Sequence, residues 1–322
     1  MQKFTEDKYV MVSRFPPPIG GVSVFAQRKC DLIVGNGGHI RKIDLGRLKS
    51  IFLLLSVALK KRRVRVLVNT LNPIILFGVW IFGLLPYSTL YDHNSSRSYK
   101  TSELKIKYLI FICRRAKCVA VVHSRLAEWF AAYGIEAVVE SPFIPPESWR
   151  EKKVLESYPE QLKLFCGDKK GIVLLNSAWR YVVDAEGRDL YGVRDTLSLL
   201  RMLREQGYPC RMVFAFGDYN VSEMPLNLVK EIRQLTADGA LYVLEGQREM
   251  WPLFSRVDLF LRTTSTDGES VSVLEALHFN CPVVASNAVP RPDGVLTYQY
   301  ANLQSLCLTT ICCIETYSHE TS

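Results

Sequence analysis

Two carboxylates stand eight positions apart in the stretch TSTDGESVSVLEALHFNCPVVAS, residues 264–286. Asp267 lies in a polar loop, and Glu275 lies in a helix that the pattern predicts to begin after Ser270, a favourable N-cap residue. Backbone amides at a helix start bind anions such as a diphosphate, and a carboxylate accepts hydrogen bonds from both vicinal hydroxyls of a ribose. One element can therefore hold an activated sugar. A capped amphipathic helix whose acids only suit its N-terminus is the alternative.

The elements that position this stretch follow a strand–helix alternation along the whole chain. Apolar runs predict strands at 9–15, 30–36, 64–70, 88–94, 117–123, 136–141, 171–178, 210–218, 240–246, 258–264 and 281–286, with helical patterns between most of them. Such alternation predicts parallel sheets covered by helices on both faces. A proline-rich segment at 141–149 marks a boundary, and a charged stretch follows it. We expect two Rossmann-like domains, residues 1–165 and 166–322, facing across a cleft, with ligands at the carboxyl ends of the strands.

The composition fits two globular domains. The 322 residues are 48% hydrophobic and 22% charged, which excludes disordered and fibrous classes. The longest apolar run, residues 74–85, is shorter than the ~20 residues of a membrane-spanning helix. The polar first ten residues predict no secretory signal. Nine cysteines without metal-type spacing indicate a reducing cytoplasm, and the histidines form no HxH or HExxH pattern, so no protein-bound metal is expected.

The charge is divided unevenly between the two halves. Residues 1–165 carry 26 Lys and Arg against 13 Asp and Glu, whereas residues 166–322 carry 14 against 19. Much of the positive charge lies at 41–49 and in the run KKRRVR at 60–65. Two interpretations of the second run stay open: a solvated basic face, or attraction to anionic lipid or a phosphate-bearing substrate. No nucleic-acid motif accompanies it, so a nucleic-acid partner is not expected.

Three further groups of residues lie where the pattern places ligand contacts. Gly20 and Gly21, in PPPIGGVSVFAQR at 16–28, come between the first strand and a helix, where glycine permits positive φ and close approach to a phosphate. His93 follows a strand of the first domain and is a candidate contact to sugar or acceptor, although a lone histidine is more often structural. Arg180 and Arg188 follow the first strand of the second domain.

The stretch DGESVSVLEALHFNCPVVAS resembles the signature of retaining glycosyltransferases of the two-domain GT-B fold, family four (group 1). Asp267 and Glu275 match the two acids of that signature, Gly268 matches the glycine after the first acid, and Ser270 replaces a second glycine. The glycine pair at 20–21 is similar to the N-terminal loop of the family. The resemblance covers roughly residues 9 to 295 and is most specific over 241–294.

The resemblance implies a metal-independent transfer, with retention, of a sugar from a nucleotide diphosphate sugar to a saccharide or lipid-linked acceptor. Asp267 would hold the transferred sugar and Glu275 the ribose, with His93 as the third catalytic candidate. No cofactor is implied. We expect an enzyme of bacterial surface polysaccharide synthesis, cytoplasmic or peripheral at the inner face of an anionic membrane. The implied donor-binding residues are Gly20, Gly21, Arg180, Arg188, Gly268, Ser270, Val271 and Ser272.

The sequence departs from the family at two places. Where the family has a Lys-Gly pair this chain has Tyr191-Gly192, so Arg188 or Arg194 would have to supply the second charge at the diphosphate. Residues 308–322 carry few helix signals and match no family element, which suggests an unusual or truncated C-terminus. Two alternatives therefore stay open: a non-catalytic accessory subunit or sugar-nucleotide binder, and a nucleotide-sugar epimerase.

Overall fold

The computed structural model describes residues 8–45, 50–168, 171–266 and 270–320. The chain divides into two compact units, Met1–Glu147 and Ser148–Ser322. The division lies within the proline-rich segment rather than at residue 165. Residues 148–165 belong to the second unit because Val154, Tyr158 and Leu162 pack into the same buried cluster as Val173 and Leu175.

The described residues of the N-terminal unit form a six-stranded parallel sheet in the order β2-β1-β3-β4-β5-β6. Its elements are β1 (Lys8–Ser13), α1 (Gly21–Gly35), β2 (His39–Asp44), α2 (Ser50–Ala58), β3 (Arg65–Val68), α3 (Pro73–Ile81), β4 (Ser88–Asp92), α4 (Glu103–Cys113), β5 (Cys118–Val121), α5 (Ser124–Ala131) and β6 (Ala137–Val139).

The described residues of the C-terminal unit form a second six-stranded parallel sheet in the order β12-β11-β10-β7-β8-β9. Its elements are α6 (Glu151–Glu156), α7 (Glu160–Gly167), β7 (Ile172–Ala178), α8 (Val193–Glu205), β8 (Cys210–Phe216), α9 (Leu226–Ala237), β9 (Leu241–Glu245), β10 (Leu259–Arg262), α10 (Val271–His278), β11 (Val283–Ser286), β12 (Val295–Tyr298) and α11 (Leu303–Glu320).

The local sequence explains the helix limits. Asn72 caps α3 by accepting hydrogen bonds from the Ile74 and Ile75 amides at 3.0 and 3.4 Å, and Pro73 occupies the first helical position, where its missing N–H costs nothing. Helix α8 buries Val193, Leu197 and Leu200 at helical spacing, and the chain leaves it through Gly207 at φ +88°. The predicted α/β architecture is confirmed. None of the described helices is long and apolar enough to span a bilayer.

Two predicted segments are wrong. Residues 30–36 are the last turns of α1 rather than a strand, because Phe25, Ala26 and Cys30 are buried along one side of that helix, and the neighbouring strand is β2. Residues 308–322 were expected to carry few helix signals, but 303–320 form α11. Its buried positions recur at helical spacing and are Leu306, Cys307, Thr310, Cys313 and Ile314.

Candidate functional site

The carboxyl edge of the C-terminal sheet contains a topological switch point. From β7 the chain proceeds outward through β8 and β9, and it then returns to β10 on the other side of β7. Crossovers that leave neighbouring strands in opposite directions open a crevice outside the strand ends, which is where ligands bind in such sheets. Arg180 follows β7, and α10 follows β10, so two predicted ligand-binding elements start from the two strands at this point.

Helix α10 starts at the predicted position, and no side chain among the described residues caps its first turn. Ser270 occupies the N-cap, and its carbonyl accepts from the Val273 and Leu274 amides at 3.0 and 3.2 Å. Its hydroxyl does not cap the helix, because Oγ lies 3.1 Å from the Ser272 hydroxyl instead. The Val271 and Ser272 amides belong to the first turn, which has no intrahelical acceptors, so this turn suits a diphosphate oxygen. The predictions on Asp267 and Gly268 lie outside the described residues.

Glu275 lies on the inner side of α10. Its side chain is 7% exposed, and its helix neighbours Val273 and Ala276 are buried as well. Burial, with a further contribution from the Glu249 carboxylate and a smaller one from Glu275, raises the pKa of the Tyr158 phenol. That phenol donates to the Glu249 carbonyl at 2.6 Å. Glu275 is therefore a buried carboxylate on the helix that follows a strand of the switch point, and such a carboxylate is typical of a functional site.

The three candidate arginines differ in how firmly other side chains hold them. The Arg188 guanidinium is bound by Asp184 at 2.7 Å and by Glu186 at 2.8 Å, within an exposed turn. Arg194 donates from Nε to the Tyr181 hydroxyl at 3.0 Å. Arg180 is 45% exposed and reaches Glu223 only at 4.0 Å. Of the three, Arg180 is the most available for a diphosphate.

The start of α8 is closed by an acidic residue. Asp189 accepts from the Tyr191 amide at 3.1 Å and from the Arg194 amide at 3.0 Å. Burial raises the pKa of Asp189, and its backbone hydrogen bonds act in the opposite direction. Tyr191, at the position of the family's lysine, packs against the core of the unit. This helix start therefore offers a carboxylate where the resemblance implies a cation.

A buried polar network joins α8 to the two strands of the switch point. Asn176 donates to the hydroxyls of Thr196 at 2.6 Å and Thr263 at 3.0 Å, and the Thr196 hydroxyl donates to the Gly192 carbonyl at 2.7 Å. Gly192 has φ +63°, and a Cβ on it would lie 2.6 Å from Thr263. The network holds the ends of β7 and β10 at one fixed spacing.

We expect Gly192→Ala to lower the free energy of unfolding by roughly 2–4 kcal/mol, because a left-handed conformation and an overpacked contact add together. Gly187→Ala is the matched control, since Gly187 has φ +77° with no atom within 4 Å of a Cβ. It should cost about 1 kcal/mol. Chemical denaturation measures both values. Equal losses in the two variants would contradict the packing argument.

Two further arginines at this edge were not found from the sequence. Arg262 ends β10 and donates from Nη1 to the Ser177 carbonyl at the end of β7, at 3.3 Å. Arg291 donates from Nε to the Ser286 carbonyl at 3.0 Å and from Nη2 to the Thr264 hydroxyl at 3.4 Å. The only sequence signal for Arg262 is a charge at the end of an apolar strand. These side chains add positive charge beside the start of the loop that precedes α10.

The carboxyl edge of the N-terminal sheet has its own switch point, between β1 and β3. Gly20 is the N-cap of α1 and Gly21 its first residue. The freedom to adopt positive φ is not used here, because Gly20 is extended at φ −161° and Gly21 begins the helix. The Ser23 hydroxyl accepts from the Gly20 amide at 3.0 Å. No atom lies within 4 Å of a Cβ on Gly20, so a ligand can approach this helix start closely.

His93 is joined to that helix start through a residue that the sequence did not single out. Its Nε2 lies 2.7 Å from the Asn69 Oδ1, and the Asn69 amide donates to the Ser13 hydroxyl at 2.9 Å and the Val22 carbonyl at 3.0 Å. Because these two acceptors orient the Asn69 amide, Nε2 of His93 carries the proton. Burial lowers the pKa of His93, more than the neighbouring carboxylates raise it. The structure therefore brings a neutral His93 and Gly20–Gly21 to the same sheet edge.

No protein-family model and no curated protein sequence matches the chain. Its structure is similar to solved glycosyltransferase structures over nearly the whole length. The structure of Anabaena HepE in complex with UDP and glucose has a TM-score of 0.61 at 14% identity, covering 97% of this chain and 91% of that one. The Burkholderia vietnamiensis α,α-trehalose-phosphate synthase (UDP-forming) has a TM-score of 0.61 at 12% identity, covering 97% of this chain and 92% of that chain.

WaaG, a glycosyltransferase involved in lipopolysaccharide biosynthesis, has a TM-score of 0.58 at 14% identity, covering 96% of this chain and 90% of that chain. Both six-stranded sheets take part in these likenesses, since the coverage is nine tenths or more of each chain. The chain has the GT-B fold of these glycosyltransferases.

Proposed function

We propose that the chain is a glycosyltransferase that moves a sugar from a nucleotide diphosphate sugar to a saccharide or lipid-linked acceptor, with retention, in bacterial surface polysaccharide synthesis. The observation that carries the proposal is the start of α10 at the switch point, with Glu275 on its inner side. The UDP named in the HepE structures and the lipopolysaccharide named for WaaG support the donor and acceptor classes.

The chemical demand of such a transfer is the departure of the diphosphate, which gains negative charge as the glycosidic bond breaks. Preorganised amides and cations stabilise that charge. The Val271 and Ser272 amides would bind the diphosphate oxygens, and Arg180 would neutralise them from the neighbouring strand end. Asp267 would hold the transferred sugar and Glu275 the ribose hydroxyls. No step is assigned to a metal or a cofactor.

The N-terminal unit would supply acceptor contacts. The protonated Nε2 of His93 is bound to Asn69, so its Nδ1 is an acceptor for a sugar hydroxyl. Because burial lowers the pKa of His93, the ring stays neutral at the pH of the cytoplasm. The Gly20 start of α1 adds a second place where backbone amides meet an anionic group.

A panel of nucleotide diphosphate sugars tests this function. We expect slow release of the nucleotide diphosphate from one or a few donors in the absence of acceptor, and a loss of roughly 100-fold in Asp267→Asn, because a hydrogen-bonded charge at the reacting sugar is removed. Liquid chromatography with mass spectrometry measures the released nucleotide. Equal nucleotide release by the unsubstituted protein and by Asp267→Asn would contradict the assignment of Asp267 to the transferred sugar.

One observation favours a second candidate, a non-catalytic sugar-nucleotide binder. The start of α8 presents Asp189 and a core-packed Tyr191 rather than a lysine. In that case the same panel would show binding of a nucleotide diphosphate sugar without release or transfer.

A further inference from the structure

Two neighbouring helices of the N-terminal unit expose their apolar side chains. On α2 and just after it, Phe52, Leu55 and Leu59 are 77%, 50% and 83% exposed. On α3, Ile74, Phe77 and Ile81 are 68%, 47% and 61% exposed. Each set has the spacing i, i+3, i+7, so each forms one stripe along its helix. We call these six residues the apolar face.

The two stripes belong to adjacent helices. A Cβ on Gly78 of α3 would lie 3.5 Å from Leu54 of α2, so the helices pack closely there. Aromatic contacts continue the surface toward α4: the Phe77 and Trp80 rings are 5.7 Å apart, and the Trp80 and Phe111 rings are 5.4 Å apart. Exposed apolar residues scattered singly are ordinary, but six of them in two stripes on packed helices indicate an interaction surface.

Cations border the apolar face. The run Lys60–Arg63 follows Leu59 directly, and the Lys61 ammonium lies 2.9 Å from a Cβ placed on Gly83, which follows the end of α3. Beside α2, a cavity of about 310 Å³ is lined by Lys60 and by two further basic side chains, Lys8 and Arg41. From Leu45 to Tyr91 the sequence contains no Asp or Glu. The run at 60–63 and helices α2 and α3 themselves therefore contribute no negative charge.

We propose that the apolar face docks on an anionic membrane surface. Its side chains would enter the boundary between headgroups and acyl chains, and the lysines and arginines around it would bind lipid phosphates. The charge argues against a second copy of this chain as the occupant, because a symmetric pair would bring the two basic borders together. The inference deepens the proposed function, since a lipid-linked acceptor would be presented at that surface.

Co-sedimentation of the full chain with vesicles tests the proposal. We expect at least about tenfold stronger partitioning onto phosphatidylcholine vesicles that contain phosphatidylglycerol than onto phosphatidylcholine alone. Phe77→Glu should reduce the anionic partitioning about tenfold or more, and the double variant Lys60→Gln, Lys61→Gln should reduce it by a similar factor. Leu226→Glu is the matched control, because Leu226 lies on α9 of the other unit and is 69% exposed. It should bind like the unsubstituted protein.

Any outcome that differs from these expected results overturns the proposal. Equal binding to neutral and anionic vesicles removes the electrostatic argument, and unchanged binding of Phe77→Glu removes the apolar face. If the unsubstituted protein does not bind vesicles but forms dimers, and Phe77→Glu dissociates those dimers, the apolar face would be assigned to contact with a second copy of the chain. Should Phe77→Glu fail to fold, the lysine variant decides, since it removes charge at the exposed Lys60 and the half-buried Lys61 and leaves the apolar face unchanged. Donor binding, measured in parallel, should be unchanged in all variants, so a failed donor panel and a failed vesicle test remain distinguishable.

Discussion

Glu275→Gln should weaken binding of the nucleotide diphosphate sugar by roughly 10- to 100-fold. An ionised carboxylate makes hydrogen bonds worth about 1.5–3 kcal/mol, and each 1.4 kcal/mol is a tenfold change in affinity. The environment strengthens the effect, because Glu275 is only 7% exposed and water competes weakly there. Glutamine has the same length and nearly the same volume, so the packing of α10 against its neighbours is retained. Isothermal titration with the donor that the panel identifies gives the two dissociation constants.

Glu231→Gln is the control for this variant. Glu231 is a half-buried carboxylate on α9, paired with Arg201 at 2.9 Å, and α9 follows β8 rather than a strand of the switch point. The control should bind the donor as the unsubstituted protein does. An unchanged dissociation constant in Glu275→Gln would show that this carboxylate serves the packing of α10 and not a ribose. Unfolding curves of the two variants separate a lost contact from a lost fold.

Arg180→Met should lower kcat/KM by roughly 10- to 100-fold, most of it in kcat. A cation beside the departing diphosphate gains interaction energy as charge develops, so its removal raises the barrier more than it weakens the ground state. Arg180 suits this role because it follows β7 at the switch point and pairs with Glu223 only at 4.0 Å. Steady-state kinetics of donor hydrolysis separates the two parameters.

Arg188→Met is the matched control. It removes the same charge and a side chain of the same length from an exposed arginine that Asp184 and Glu186 already hold. We expect a change of less than about twofold, because a guanidinium already paired with two carboxylates in an exposed turn contributes little net charge to a bound anion. A loss in Arg188→Met as large as that in Arg180→Met would contradict this distinction and would assign the second charge at the diphosphate to the turn after β7.

Most strands and helices could be predicted because their apolar runs are unambiguous. β8 is apolar and buried at every position except Arg211, as expected for an inner strand of a parallel sheet. The strand prediction for residues 30–36 was wrong, since a short apolar run fits a buried helix turn as well as a strand. Helix α11 was not predicted because two cysteines and a threonine are among its buried positions, and these residues have weak helix propensity.

The candidate site could be predicted where it depends on one continuous stretch. Ser270, Val271 and Glu275 lie on or beside α10 as expected, because local sequence determines where a helix starts. The contacts between distant segments could not be foreseen. Asn69 reaches both His93 and Val22 only because β3 and β4 lie side by side next to α1. In the same way, the acids that hold Arg188 depend on a turn conformation that spacing alone does not reveal.

The most direct test is a crystal structure of the protein with its nucleotide diphosphate sugar. We predict that the diphosphate oxygens lie within hydrogen-bond distance of the Val271 and Ser272 amides, with the ribose hydroxyls at the Glu275 carboxylate. A donor bound elsewhere, with the start of α10 covered by protein side chains, would contradict the proposal that this helix start recognises the donor.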